Sequence, residues 1–114
     1  MDYRKVLIVD DEPDICELLK EEFEDFGLSV DIAYNGQDAL ECLKKCNAFL
    51  VFSDINMPVM NGVELLAHIQ QIEDDRPYVI LCTGFKGYER EQLINKGAMD
   101  LINKPFDFEL LEQM

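Results

Sequence analysis

Tryptophan is absent, and histidine occurs once, at position 68. Basic residues are scarce: 10 lysines and arginines face 24 aspartates and glutamates, for a formal charge of -14. Phosphate contacts need clustered lysine and arginine, so this balance argues against direct nucleic-acid binding and makes a protein the expected partner. The longest apolar runs, such as residues 48–52, are far short of the ~20 residues that cross a bilayer. The start, Met1-Asp2-Tyr3-Arg4-Lys5, lacks the apolar stretch of a secretion signal. A cytoplasmic protein without membrane contact is therefore expected. The four cysteines, Cys16, Cys42, Cys46 and Cys82, form no CxxC pair. That spacing favours reduced thiols over a zinc site, although Cys42 and Cys46 stand one helical turn apart and could meet a soft metal if other ligands joined them. The glycine-rich dinucleotide fingerprint is also missing, because the first apolar run leads into Asp10-Asp11-Glu12-Pro13; no cofactor of that kind is expected.

What the 114 residues do contain is one domain's worth of alternating patterns, with 48% hydrophobic residues. Residues 5–9 form an apolar run with β-branched Val6, Ile8 and Val9, which predicts a strand covered on both faces. Pro13 then opens a helix on which Ile15, Leu18, Leu19, Phe23 and Phe26 recur at helical spacing, ending at Gly27. The four acids Glu21, Glu22, Glu24 and Asp25 make its solvated face. Residues 28–33 alternate as a strand nearer an edge. Asn35 is placed to cap a helix carrying Ala39, Leu40 and Leu43, and residues 49–52 form a third strand that runs into Asp54. A helix is predicted from near Asn61 to about Ile72, a strand over residues 78–82, a short helix over 88–96 capped by Gly97, and a strand over 99–102. Residues 107–114 read as the opening of a fifth helix cut short at Met114. Alternation of this kind implies a doubly wound α/β domain: a five-stranded parallel sheet with helices on both faces.

Every strand in a parallel sheet points the same way, so residues that follow the strands share one edge. Here these are Asp10 and Asp11, Asp54, Thr83 and Lys104. Taken singly, each is explained as a cap, a turn former or a solvated charge. Together they make an anion site with its own cation. Three carboxylates within about 4 Å repel by several kcal/mol per pair at an effective dielectric near 20, so a proton or a counter-ion must enter. A divalent cation with oxygen-only ligands and open positions is Mg²⁺ chemistry. Asp54 is then a candidate nucleophile toward phosphorus, with Thr83 and Lys104 as donors to the phosphoryl oxygens.

The motifs Val9-Asp10-Asp11-Glu12, Ser53-Asp54-Ile55-Asn56-Met57-Pro58-Val59-Met60-Asn61-Gly62, Thr83-Gly84, Gly97-Ala98 and Lys104-Pro105-Phe106 occur in that order. Over nearly its whole length the chain resembles the receiver domain of bacterial two-component response regulators. The resemblance implies a single receiver domain over residues 1–114 and a flavodoxin-like strand order 2-1-3-4-5. It implies that Asp54 accepts a phosphoryl group from a sensor histidine kinase or a phosphotransfer protein. Asp11, Asp54 and the backbone carbonyl of Asn56 would hold Mg²⁺, Asp10 would act through a metal-bound water, and Thr83 and Lys104 would bind the phosphoryl oxygens. It further implies a cis Lys104–Pro105 bond, Asn56 and Phe85 flanking the phosphoryl group, and a switched downstream protein or attached output domain. The protein would then be a signalling acceptor rather than an enzyme, monomeric or dimeric on phosphorylation. One departure stands out: Leu101 occupies the place, three residues before the lysine, where the family carries an aromatic switch. The alternative is a Mg²⁺-dependent phosphatase with an aspartyl-phosphate intermediate. Glu12 has the spacing it would need, but that reading leaves Asp54 and Lys104 without a role.

Overall fold

The computed structural model describes residues 2–84 and 87–104. Nine elements alternate in order: β1 (Asp2–Val9), α1 (Pro13–Asp25), β2 (Ser29–Ala33), α2 (Gly36–Leu43), β3 (Ala48–Asp54), α3 (Gly62–Ile69), β4 (Tyr78–Thr83), α4 (Arg90–Asn95) and β5 (Asp100–Asn103). The five strands form one parallel sheet in the order β2-β1-β3-β4-β5, as the sequence pattern and the resemblance together imply. The fifth helix expected over residues 107–114, the Lys104–Pro105 bond and Phe85 lie outside the described residues.

Residues two apart on a strand share a face, and the sheet accordingly has two cores. Val6, Ile8, Leu50, Phe52, Ile80 and Cys82 pack toward α1, against Cys16 and Leu19. Leu7, Val9, Val51 and Leu81 pack toward α2, α3 and α4, against Ala39, Leu65, Leu66, Ile69 and Leu93. Phe52 is fully buried and meets Phe23 edge-on, with ring centroids 5.5 Å apart. Burying such a side chain stabilises the fold by roughly 1.5–3 kcal/mol. The edge strand β2 is only half covered, matching its mixed composition.

The helix ends follow local chemistry. Asn35 caps α2 by accepting from the Asp38 amide at 2.8 Å, and Asn61 opens α3 through a reciprocal capping box with Glu64. Gly27 and Gly97 end α1 and α4 at positive φ, 85° and 110°.

Several expected boundaries move. β1 starts at Asp2 rather than Lys5, because the Asp2 amide donates to the Asn47 carbonyl at 2.6 Å although residues 2–4 are exposed. α3 ends at Ile69 rather than near Ile72; the amides of Gln71 and Ile72 reach back only three residues, to His68 and Ile69, so the last turn tightens. On α1 the buried stripe is Cys16 and Leu19 with half-buried Ile15 and Phe23, which leaves Leu18 and Phe26 exposed, contrary to their place in the apolar repeat. His68 is exposed on α3.

The loop after β3 carries two opposite constraints. The Gly62 amide donates to the Ile55 carbonyl at 2.9 Å, and a Cβ on Gly62 would collide with the Asp54 carbonyl oxygen and come within 2.9 Å of Ile55 Cα. Val59, a β-branched residue, is held at φ 72°, a left-handed conformation that costs an L-residue roughly 1–2 kcal/mol. Urea unfolding should therefore separate two substitutions. Gly62→Ala is expected to destabilise by about 2 kcal/mol or more, and Val59→Gly to stabilise by up to about 1 kcal/mol. The same sign for both would contradict this account of the loop.

Candidate functional site

The C-terminal ends of β1, β3, β4 and β5 bring the expected residues to one edge. Asp10 follows β1 directly, and its amide continues the pairing to β2 by donating to the Ala33 carbonyl at 3.1 Å. Its carboxylate is buried and has two partners among the described residues: Oδ1 accepts from the Glu12 amide at 3.0 Å, and Oδ2 accepts from Lys104 Nζ at 3.0 Å. Asp54, the last residue of β3, is also buried, and its Oδ2 lies 3.5 Å from the same Lys104 ammonium. One cation thus stands between two buried carboxylates. Lys104 is positioned by its own amide, which donates to the Thr83 carbonyl at 2.8 Å across the β4–β5 edge. Thr83 is fully buried, and its hydroxyl accepts from Asn56 Nδ2 at 3.3 Å. Asp11 is exposed at the rim, where one carboxylate oxygen from each of Asp10, Asp11 and Glu12 lies within 4.8 Å of the others.

The electrostatics follow from this crowding. Burial, reinforced by the charge of Asp10, pushes the Asp54 carboxyl up to about 6 despite the opposing effects of Lys104 and the Asn56 amide. Burial works against the Lys104 charge, yet the hydrogen bond and charge of Asp10, with Asp54 and Glu12 behind them, raise it above the ordinary lysine range. The two cysteines beside the site are inert: burial, with the Asp10 charge, pushes Cys16 up to about 12, and burial lifts Cys82 well above its ordinary value. Cys16 Sγ donates to the Asp10 carbonyl at 3.4 Å.

Sequence reasoning missed two parts of this arrangement. The Asn56 side chain, expected only to flank the phosphoryl group, also reaches the Thr83 hydroxyl, and Glu12 both braces Asp10 through its amide and adds a third rim carboxylate. The run Asp10-Asp11-Glu12 was the available signal for Glu12; nothing local signals the link from Asn56 to Thr83. Leu101 is half-buried and packs on the α2–α4 side of the sheet.

A family model for the response regulator receiver domain matches residues 6–114. The chain belongs to this family. The receiver is 34% identical over 106 residues to the response regulator ArlR of Staphylococcus haemolyticus, covering 93% of this chain and 48% of that protein. It thus spans about half the length of that curated relative. It is also similar to the solved response regulator TrrA of Thermotoga maritima in complex with Mg²⁺-BeF, with 37% identity, a TM-score of 0.85, and 96% and 94% of the two chains covered. The chemotaxis response regulator CheY4 of Vibrio cholerae gives 30% identity, a TM-score of 0.86, and 98% and 95% coverage. The protein is accordingly a phosphoacceptor signalling domain of the two-component type. Among the described residues, no helix of the receiver is long and apolar enough to cross a membrane.

The donor set fits Mg²⁺. Asp10, Asp11, Glu12 and Asp54 are hard oxygen donors, and among the described residues at this edge their formal negative charge exceeds what Lys104 balances.

Because the folded receiver holds Asp54 near 6 against an ordinary 3.8, the folded state binds a proton more tightly than the unfolded chain. The charged carboxylate therefore costs stability above the folded value, on the order of 3 kcal/mol when fully ionised, and the cost fades as pH falls toward the unfolded value. Without divalent cations, Asp54→Asn is expected to be more stable than the parent near neutral pH. That advantage should shrink by about 1–1.5 kcal/mol between roughly pH 7.5 and pH 5. Urea melts across that range check this, and a gap that widens on acidification would contradict it.

Proposed function

We propose that Asp54 is the phosphoacceptor, that Asp10, Asp11, Asp54 and the Asn56 backbone carbonyl hold Mg²⁺, and that Thr83 and Lys104 receive the phosphoryl oxygens. The observation that carries this reading is the Lys104 ammonium, 3.0 Å from Asp10 and 3.5 Å from Asp54 at a buried strand edge. Bound Mg²⁺ would supply positive charge for the carboxylates and for the incoming phosphoryl oxygens. An Asp54 carboxylate oxygen attacks phosphorus of a phosphohistidine on a sensor kinase or phosphotransfer protein. The new oxygen–phosphorus bond forms as the nitrogen–phosphorus bond breaks, and the imidazole keeps the electron pair. Lys104 then exchanges its contact with Asp54 for a phosphoryl oxygen, and Thr83 exchanges its Asn56 partner for another. The domain itself supplies the groups for transfer and for later hydrolysis by water, so no separate catalyst is required.

The outcome is a population shift on the face formed by α4 and β5, read in the cytoplasm by a downstream protein or an attached output domain. The receiver acts as a monomer or as a dimer formed on phosphorylation. With Leu101 in the aromatic position, coupling runs through Thr83 and the packing of α4. The phosphatase alternative would use Asp10 as its nucleophile, and that carboxylate already accepts from Lys104 and the Glu12 amide.

The test is intact mass after incubation with Mg²⁺ and a small phosphodonor such as acetyl phosphate. The parent should gain a single phosphoryl group, while Asp54→Asn and a sample containing excess chelator should gain none. Equal labelling of parent and Asp54→Asn would overturn the assignment.

A further inference from the structure

On the α2 side of the sheet, two thiols and a carboxylate converge away from Asp54. Cys42 lies in the last turn of α2, and the Cys46 amide donates to the Cys42 carbonyl at 2.8 Å. The helical path therefore persists past Leu43 and sets both cysteines on one face. Their sulfurs are 3.7 Å apart. Asp31, in the middle of β2, shares a sheet face with Ala33, which packs toward α2, and not with Val30 and Ile32, which pack toward α1. One Asp31 carboxylate oxygen and the two sulfurs all lie within 4.8 Å of one another, and all three residues are half-buried.

We propose that Asp31, Cys42 and Cys46 form a second metal site, for a thiophilic dication of the Zn²⁺ class, with water in the fourth position. A tetrahedral ion with metal–sulfur bonds of about 2.3 Å holds two sulfurs about 3.8 Å apart. The thiols already have that spacing. The matching sulfur–oxygen edge is about 3.5 Å, so a side-chain movement of Asp31 closes the triangle. Two thiolates and a carboxylate carry one more negative charge than the ion neutralises, and Lys5 Nζ, 3.2 Å from Asp31 Oδ2, balances it.

Binding exchanges the two thiol protons, released to solvent, for the cation. Burial, aided by the hydrogen bond and charge of Cys46, pushes the free Cys42 thiol up to about 12. A disulfide asks for a larger change, because the sulfurs must close from 3.7 Å to about 2.05 Å across a helical turn that fixes both backbones. The sulfur donors also set this site apart from the acidic rim: oxygen-only Asp10, Asp11 and Glu12 suit a hard ion, whereas a pair of thiolates selects a softer one. Asp31 pairs with Leu7, three residues before Asp10, so the two sites lie on the order of 10 Å apart along the strands.

The experiment titrates the reduced, chelator-free protein with Zn²⁺ against a chromophoric chelator, and in parallel with Co²⁺ by visible absorption. One Zn²⁺ per chain is expected, not displaced by an excess of Mg²⁺, with tetrahedral Co²⁺ bands and a sulfur-to-cobalt charge-transfer band. Cys42→Ser and Cys46→Ser should each abolish the charge-transfer signal of the pair and the tight uptake. Cys42→Ala serves as a second variant, with circular dichroism recorded for all three to separate loss of a ligand from loss of fold. Asp31→Asn should weaken binding by about tenfold or more, at least what even outer partners of a metal contribute. Uptake that survives both cysteine substitutions, or a Co²⁺ spectrum without a sulfur band, would overturn the site. Unchanged affinity in Asp31→Asn would overturn the three-ligand assignment.

Discussion

Two buried carboxylates share one ammonium at the edge of this sheet, and the rest of the structure serves to keep them there. Asp10 and Asp54 end neighbouring strands that are themselves wholly buried near their C-termini, so neither side chain can move far without disturbing the core. Lys104 comes from the opposite end of the sequence and is fixed by the β4–β5 pairing through its amide. Burial first, and then the charge of Asp10, raises the Asp54 carboxyl, and Lys104 offsets that only in part.

The two cores frame this cluster differently. The face toward α1 is pinned by Phe52, Leu19 and the buried strand residues around them. The face toward α4 holds only Leu93 fully buried from that short helix, with Leu101 half-covered nearby. Thr83 ends β4, beside Asp54 and next to β5. Its hydroxyl accepts from Asn56 and its carbonyl from the Lys104 amide, so hydrogen bonds join the loop after β3 to the β4–β5 edge.

Much of this was legible in the sequence, for identifiable reasons. Buried parallel strands read as apolar runs, and the residues that end them must share an edge, so the sequence pattern alone groups Asp10, Asp54, Thr83 and Lys104. The order of strands came from the resemblance, since periodicity does not encode which strand is central. Boundaries moved where hydrogen bonding and not hydropathy decides: Asp2 joins β1 through Asn47, and α3 tightens after Ile69. Leu18 and Phe26 fit a helical repeat but face outward, because the stripe that meets the sheet is centred on Cys16 and Leu19. Contacts between residues distant in sequence left no local trace. The Asn56 to Thr83 hydrogen bond is one, and the meeting of Asp31 with Cys42 and Cys46 is another, since cysteine spacing alone shows the two thiols and hides the strand that brings the carboxylate.

The most direct test of the central claim is an amide-resolved NMR titration of the isotope-labelled protein with beryllofluoride, a phosphoryl mimic, with and without Mg²⁺. If the cluster is built to receive a phosphoryl group once its excess negative charge is offset, beryllofluoride should shift the amides of Asp54, Ile55, Asn56, Thr83 and Lys104 only when Mg²⁺ is present. The response should vanish in Asp54→Asn. Shifts that need no Mg²⁺, or that centre elsewhere on the domain, would contradict the account.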